Sequence, residues 1–165
     1  EDLELEDTTL LSEKQLLDQA LLAEDAMLKN KKITNSEGAT RSFSKNTYNI
    51  INSRGFNAKY SKTFHSISSI AIAGSDTNMQ RDYEYSAATH ASDLLLAEKV
   101  GSLAAKRAAS RLNSKKIKSC TLDVIFEPRV AKSILSSFCS CASGTSIARG
   151  TSFLNNKLNL SLIHI

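Results

Sequence analysis

The sequence predicts an α+β fold, in which an antiparallel β-meander is flanked by helices in the order helix, three strands, helix, strand, helix. Apolar residues recur at helical spacing in three separate stretches, and segments rich in Ser, Thr, Tyr and Ile lie between clusters of turn-forming residues. Strand runs interrupted by unevenly placed helices, without a βαβ repeat, favour this class over a doubly wound parallel sheet.

The first helix is predicted from about Ser12 to Asn30. Ser12 and Gln15 have the spacing of a capping box, in which each side chain accepts from the other residue's backbone N–H. Lysines near Asn30 suit the negative end of the helix dipole. The apolar residues at helical spacing are Leu16, Leu17, Ala20, Leu21, Met27 and Leu28.

Three strands are predicted between Gly38 and Ser86. Two turn clusters, residues 52–55 and 74–78, divide this stretch into pieces short enough for antiparallel hairpins. Because the strands carry many polar residues, we expect one face of the meander to be wet or to touch a partner.

The second helix is predicted to begin at Ser92 or Asp93 as its N-cap and to end near Asn113. Gly101 and several alanines permit close packing on this helix. Its buried stripe is expected to comprise Leu96, Val100, Leu103, Ala104, Ala108 and Leu112.

Apolar and polar residues alternate between Cys120 and Phe126, which predicts a fourth strand ending at Pro128. Proline is favoured in the first turn of a helix, so a third helix is predicted from Pro128 to Gly144. Its apolar stripe is expected to comprise Val130, Ala131, Ile134, Leu135, Phe138 and Ala142.

Composition indicates a soluble, globular chain with one compact domain: 41% of the 165 residues are hydrophobic and 23% are charged. No apolar run approaches the length of a membrane span, and the first residues are acidic rather than basic and then apolar. These features predict a cytoplasmic protein with no membrane contact. Three cysteines without a CxxC pair indicate neither a disulfide framework nor a zinc knuckle.

Charge is divided unevenly along the chain, since residues 1–28 carry nine acids against one lysine and the remainder is basic. Such a division fits either nucleic-acid affinity or acidic and basic surfaces that face each other. The basic stretch around the end of the second helix is the feature that favours nucleic acid. It comprises Lys106, Arg107, Arg111, Lys115, Lys116 and Lys118. No aromatic residues or known nucleic-acid motif accompany it, so a solvated face is the preferred interpretation.

No local metal or phosphate site is indicated. His65, His90 and His164 are far apart and belong to no H-E-x-x-H cluster. Cys139 and Cys141, two apart on a helix, point to different faces. The segment between Gly144 and Gly150 leaves a helix and lacks the Gly-Lys-Ser/Thr of a phosphate loop.

Several segments in a common order resemble the PmbA (TldE) branch of the bacterial TldD/PmbA family, also described as modulators of DNA gyrase. These segments are TNSEG at 34–38, NSRGF at 52–56, MQRDYEYS at 79–86, VIFEPRVA at 124–131 and IARGTSFL at 147–154. The resemblance implies that residues 1–159 form the central portion of a longer protein, truncated at both ends, with an unmatched tail at 160–165. Such an excerpt is expected to expose apolar surface and could form a homo-oligomer.

The family resemblance implies a role in the proteolysis of unfolded or extended peptides. In this family a TldD subunit carries zinc on a helix with an H-E-x-x-x-H motif, and its TldE paralogue lacks that motif. The two subunits form a heterodimer. The chain is therefore expected to bind no cofactor itself and to depend on a TldD-like partner for zinc. The alternative, a DNA gyrase modulator-like protein that binds nucleic acid through residues 106–118, belongs to a different functional class.

The Gly-Thr-Ser element at 150–152, shared by both branches, gives the register of the zinc motif. The two histidine positions fall on Leu135 and Ser140, and the glutamate position falls on Ser136. A leucine offers zinc no lone pair and a serine cannot replace the general base, so no catalytic residue and no metal ligand are expected here. Leu135 then reads as a packing residue.

Peptide- or partner-binding candidates lie just beyond the third helix, at Arg149, Thr151 and Ser152. A guanidinium and two hydroxyls there could bind peptide carbonyls or a carboxylate, or could equally brace a turn. A second hypothesis places an extended peptide on an exposed sheet edge between Gly38 and Ser86 by strand addition.

Overall fold

The computed structural model describes residues 3–161 and confirms the α+β class. Its elements are α1 (Glu13–Leu28), β1 (Ile33–Ile51), β2 (Asn57–Ala73), β3 (Gln80–Ala88), α2 (Ala97–Ser110), α3 (Pro128–Cys141) and α4 (Gly144–Ala148). The chain forms two compact units, Glu1–Lys116 and Ile117–Ile165. Within residues 3–161, no helix is both long enough and apolar enough to span a membrane.

Helix α1 begins at the predicted capping box. The Ser12 hydroxyl accepts from the Gln15 backbone N–H at 3.3 Å, and Gln15 Oε1 accepts from the Ser12 N–H at 2.9 Å. The buried residues are Ala23, Ala26 and Met27, whereas most of the leucines at helical spacing are exposed. The spacing therefore predicted the helix but not its buried face.

Helix α2 packs against α1 in backbone contact at Gly101. A Cβ atom at Gly101 would lie 1.9 Å from the carbonyl oxygen of Ala23 and 2.8 Å from its carbonyl carbon. Only glycine fits this crossing, because the neighbouring atoms belong to the backbone and cannot rotate away. Together the two helices cover the inner face of the sheet.

The predicted start of α2 is wrong. Ala91–Asp93 forms a single 3₁₀ turn, and α2 begins at Ala97 without a side-chain cap. The backbone N–H of Ala91 is held by Asp7 and that of Leu95 by Ser86, so tertiary contacts fix this segment in a non-helical path. Leu96 is consequently 74% exposed instead of buried. Of the predicted stripe, Val100, Ala104 and Ala108 are buried, and Leu103 and Leu112 are partly buried.

The three strands form one antiparallel sheet in the order β1-β2-β3. Odd-numbered residues of β2 from Thr63 to Ala73 are buried beneath the helices, and even-numbered ones are more exposed. On the outer face, Tyr83 and Tyr85 are exposed and stack with ring centroids 6.2 Å apart. The sheet is half exposed, as its polar composition predicted.

Strands β1 and β2 continue beyond the three-stranded sheet. β3 pairs with β2 only between His65 and Ala73, whereas β1 pairs with β2 as far as the Ile51–Asn57 pair. Residues 44–51 and 57–64 therefore form a two-stranded extension, here called the ribbon. Its turn is the predicted cluster at 52–55, in which Gly55 adopts a φ of +85°.

In the second unit, the predicted strand from Cys120 to Phe126 is absent among the described residues. A strand needs a neighbour that accepts its backbone hydrogen bonds, and no such ladder forms there. The side chains are left outside a core, with Ile125 98% exposed. Alternation indicated the capacity to form a strand, not the presence of a partner strand.

Helix α3 begins at Pro128 as predicted but ends at Cys141, with Ala142 as C-cap, and Gly144 starts the short helix α4. The predicted buried stripe is wrong within residues 3–161, since no residue of α3 is buried. Leu135, expected to be a packing residue, is 62% exposed.

Replacing Gly101 with alanine should destabilise the first unit, because the added methyl group collides with the Ala23 carbonyl. We expect a loss of about 2 kcal/mol in the free energy of unfolding, within the range for overpacked cores, despite the better helix propensity of alanine. Denaturant unfolding measures this loss of stability. Gly144→Ala is the matched control, since its Cβ meets open space. Equal stabilities of the two variants would contradict the crossing described here.

Candidate functional site

Helix α3 presents the three positions that the family resemblance assigns to the zinc motif. Leu135 points an aliphatic side chain into solvent, and the Ser140 hydroxyl donates to the Ser136 carbonyl oxygen at 3.0 Å. None of the three side chains carries an imidazole, thiolate or carboxylate, the groups that bind zinc in proteins. The residues at these three positions therefore do not fit a zinc ion.

The remaining ligand-type side chains are dispersed. Within residues 3–161, no three His, Cys, Asp or Glu side chains lie close enough together to share a metal ion. His90 Nε2 contacts the carbonyl oxygen of Glu4 at 2.8 Å, and His164 lies outside the described residues. Cys120, Cys139 and Cys141 are free thiols.

Two of the three binding candidates beyond α3 are engaged inside their own unit. Ser152 is 8% exposed; its hydroxyl donates to the Cys141 carbonyl at 2.7 Å and accepts from the Leu154 N–H at 3.0 Å. The Thr151 hydroxyl donates to the Ser146 carbonyl at 3.3 Å. These contacts fold the segment after α4 back toward the end of α3, so both hydroxyls serve the turn.

Arg149 is the candidate that stays available. It is the C-cap residue of α4, and its side chain is exposed. Across residues 3–161 its guanidinium has no hydrogen-bond or ion-pair partner. A cavity of about 310 Å³ with a mainly apolar lining opens in the same unit, beside Phe138, Ile147 and Leu154. An exposed guanidinium of this kind can bind a carboxylate or peptide carbonyls.

The basic stretch at 106–118 is partly neutralised by β3. Arg107 Nη1 lies 3.0 Å from Glu84 Oε2, and Arg111 Nη1 lies 2.9 Å from Asp82 Oδ2. Because both carboxylates are buried, the two arginines act as their counter-ions. The lysines of the stretch remain exposed, but it offers a phosphate backbone fewer cations than the sequence suggested.

Sequence reasoning missed a buried polar cluster around His65. The ring is fully buried; Arg41 Nη2 lies 3.3 Å from Nδ1, and Asp7 Oδ2 lies 3.1 Å from Nε2 without the alignment of a hydrogen bond. Since a guanidinium only donates, Nδ1 is the acceptor and the proton of the neutral ring sits on Nε2. The Phe43 ring packs with its centroid 4.7 Å from that of His65.

Hydrogen bonds in this cluster hold the N-terminal segment, residues 4–9, against the sheet. Asp7 accepts from the backbone N–H groups of Ala91 at 2.7 Å and Thr9 at 2.8 Å, which hold the pKa of this carboxyl well below its usual range. The Asp7 N–H donates to the Thr63 hydroxyl at 2.8 Å, and that hydroxyl donates to the Thr89 carbonyl at 2.9 Å. These partners lie up to 84 residues apart, so no local pattern in the sequence predicts these contacts.

Comparison with protein families gives two matches. Residues 6–112 match the central domain of the PmbA/TldA metallopeptidases, and residues 119–164 match their C-terminal domain. The chain is 37% identical over 135 residues to a metalloprotease PmbA homologue of Buchnera aphidicola from Baizongia pistaciae, covering 82% of the chain and 30% of that protein. It is 33% identical over 163 residues to metalloprotease PmbA of Escherichia coli O157:H7, covering 98% of the chain and 36% of that protein.

Two crystal structures share the fold. A proposed modulator of DNA gyrase from Bacteroides thetaiotaomicron aligns with a TM-score of 0.86 and 26% identity, covering 96% of this chain and 37% of that protein. A protein of the same description from Thermotoga maritima aligns with a TM-score of 0.66 and 24% identity, covering 73% of this chain and 28% of that one. The chain thus spans about a third of the length of the curated relatives that it matches.

Stability of the first unit should fall as the pH drops below about 6.5, the ordinary histidine value. Burial and the neighbouring Arg41 lower the pKa of His65, outweighing Asp7, which raises it. The unfolded state therefore binds a proton at a higher pH than the folded state does, so acid favours unfolding. Asp7 acts in the same direction at still lower pH. Melting temperatures measured from pH 8 to pH 5 check this.

The matched variants for this prediction are His65→Gln and His90→Gln. Replacing His65 should flatten the pH dependence between about pH 6.5 and 5, because the titrating group with a lowered pKa is gone. Replacing His90 should flatten the slope far less, because His90 is the smallest of the causes that lower the pKa of His65. A slope that survives His65→Gln would mean that another group carries the acid sensitivity.

Proposed function

The chain belongs to the PmbA/TldA metallopeptidase family, and from this premise we propose that it acts as the non-catalytic, TldE-like subunit of a two-subunit metallopeptidase. Its partner in this proposal is a TldD-like subunit that supplies the zinc and the general base. The substrates are extended or unfolded peptides. The complex works in the cytoplasm, an environment that suits the three free thiols.

The observation that carries the proposal is the chemistry of α3. Catalytic zinc in peptidases is held by nitrogen and oxygen ligands, and its bound water needs a carboxylate to take up a proton. At the corresponding positions α3 offers Leu135, Ser136 and Ser140, and the Ser140 hydroxyl is engaged with a helix carbonyl. A heterodimer assigns the missing chemistry to the partner and leaves peptide binding and positioning to this chain.

Peptide positioning is assigned to Arg149 in this proposal. The Thr151 and Ser152 hydroxyls are engaged in the turn, so their contribution is to hold the segment that carries Arg149. An exposed guanidinium can bind peptide carbonyls or a terminal carboxylate through two parallel hydrogen bonds. The nucleic-acid alternative is the weaker proposal, because Glu84 and Asp82 already pair with Arg107 and Arg111.

Metal content and cleavage test the proposal together. The purified chain should contain no stoichiometric zinc by elemental analysis and should leave an unfolded reporter polypeptide intact. Addition of a zinc-loaded TldD-like subunit should give cleavage and a co-eluting complex in size-exclusion chromatography. Stoichiometric zinc that supports hydrolysis by this chain alone would overturn the proposal.

Arg149→Ala should weaken peptide use by the reconstituted pair without unfolding the chain. We expect KM to rise about tenfold, the cost of a charge-assisted hydrogen bond, with little change in melting temperature. Ser152→Ala is the matched variant: it should cost on the order of 1 kcal/mol in stability, because two backbone groups lose their partner. Steady-state kinetics and thermal melts separate the two effects. Unchanged KM after Arg149→Ala would remove Arg149 from the site.

A further inference from the structure

The ribbon leaves one side of β2 without a neighbouring strand. β3 pairs with β2 from His65 to Ala73, so residues 57–64 have β1 on one side only. The Thr63 N–H points away from β1 and donates to the Leu5 carbonyl at 3.0 Å. In an antiparallel ladder alternate residues share this direction, so the backbone groups of Asn57, Lys59 and Ser61 also face the open side.

These backbone groups form an open edge of useful length. Within residues 3–161, no backbone partner lies on the β3 side of Asn57, Lys59 or Ser61. Five strand residues extend for about 17 Å, which matches a peptide of about five residues in extended conformation. A cavity of about 660 Å³ adjoins the Ser61 end of this edge, between the N-terminal segment, residues 3–6, and Tyr60, Ser61 and His90.

Charge on the ribbon selects the kind of peptide. Residues 38–75 contain no acidic side chain, and four bases lie on the ribbon and its turn. Lys45 pairs with Glu6, whereas Arg54, Lys59 and Lys62 form no ion pair within the described part of the chain. An incoming strand with carboxylates would meet these unpaired cations.

The chain's own N-terminal segment provides the precedent. The Leu5 carbonyl oxygen accepts a hydrogen bond from the N–H of Thr63, the next residue of β2 after Ser61 whose backbone groups face away from β1. The adjacent Glu6 carboxylate pairs with Lys45. A non-helical segment with alternating leucines and acids therefore already occupies the position beside the open edge. The next positions along β2 repeat the same backbone pattern and the same sign of charge.

We propose that the β3-facing edge of β2, from Asn57 to Ser61, binds an acidic extended peptide by strand addition. Main-chain hydrogen bonds to the three outward-facing residues supply the affinity. Lys59, on the helix-side face of β2, and Lys62, on the opposite face, select acidic side chains on the two faces of the incoming strand. The inference rests on the proposed function in that it gives the extended peptide a second point of attachment, in the unit that does not contain α3. The competing explanation is that the lysines only protect an open edge from aggregation.

Binding of a labelled peptide tests the proposal on the whole chain. The probe is an acetylated, fluorescein-labelled Gly-Leu-Glu-Glu-Leu-Glu-Gly peptide, which presents glutamates on both faces of an extended strand, followed by fluorescence anisotropy. Two control peptides accompany it: one with lysines in place of the glutamates, and one with alternate backbone nitrogens methylated. We expect binding of the acidic peptide that weakens with added salt, and no binding of either control.

Ser61→Pro and Thr47→Pro form a matched pair. The two residues face each other across the ribbon and share a hydroxyl contact of 2.9 Å, so both variants lose it. Ser61→Pro also loses the hydrogen bond to the Glu6 carboxylate, and Ser61→Ala measures that loss alone. Each proline removes one outward-facing N–H, from the proposed edge in the first case and from the outer edge of β1 in the second. Ser61→Pro should weaken binding by about tenfold, the loss expected for one hydrogen bond, and Thr47→Pro should bind like the parent chain.

A charge variant keeps the proposal testable if a proline variant fails to fold. Lys59→Gln combined with Lys62→Gln should weaken binding and flatten its salt dependence, with unchanged circular dichroism. Absence of binding by the parent chain, equal binding of the lysine peptide, or equal affinities of the two proline variants would overturn the proposal. A single-stranded oligonucleotide that binds this edge in place of the peptide would overturn it as well.

This assay is independent of the two-subunit proposal. It uses neither partner, zinc nor hydrolysis, so peptide binding without any cleavage by a reconstituted pair would leave the edge in place and remove the metallopeptidase role. Cleavage by the pair with no peptide bound to the ribbon would do the reverse.

Discussion

The backbone contact between α1 and α2 at Gly101 is the constraint on which the first unit depends. It brings Ala23 and Val100 into one core cluster with Ile67 of β2. With the helices this close, their small residues cover the inner face of the three-stranded sheet. The ribbon extends beyond the end of β3, which leaves its backbone edges open.

Local signals in the sequence predicted the elements whose boundaries are determined locally. The Ser12–Gln15 capping box and the Gly55 turn lie where the pattern placed them, because their hydrogen bonds join residues within one turn. The predictions of a strand at 120–126 and of the cap of α2 were wrong, because both features depend on residues distant in sequence. The first needs a partner strand, and the second is decided by Asp7, which is 84 residues away from Ala91. Contacts between residues distant in sequence determine the His65 cluster as well.

In the candidate site too, one part could be predicted from side-chain chemistry and another part depends on contacts made in the fold. That leucine and serine cannot hold zinc follows from side-chain chemistry, so the assignment of Leu135, Ser136 and Ser140 needed only the family register. Which of Arg149, Thr151 and Ser152 is free to bind a ligand depends on where their neighbours lie. The two hydroxyls contact carbonyl groups inside the second unit, and the guanidinium does not. Polar side chains near a turn look alike in a sequence until their partners are known.

In the proposed complex, α3 of this chain contributes no ligand to the zinc ion. Anomalous diffraction at the zinc edge, from crystals of the chain in complex with a TldD-like subunit, tests it most directly. A single anomalous peak, located in the partner subunit, is expected. A peak beside Leu135, Ser136 and Ser140 of this chain would contradict it.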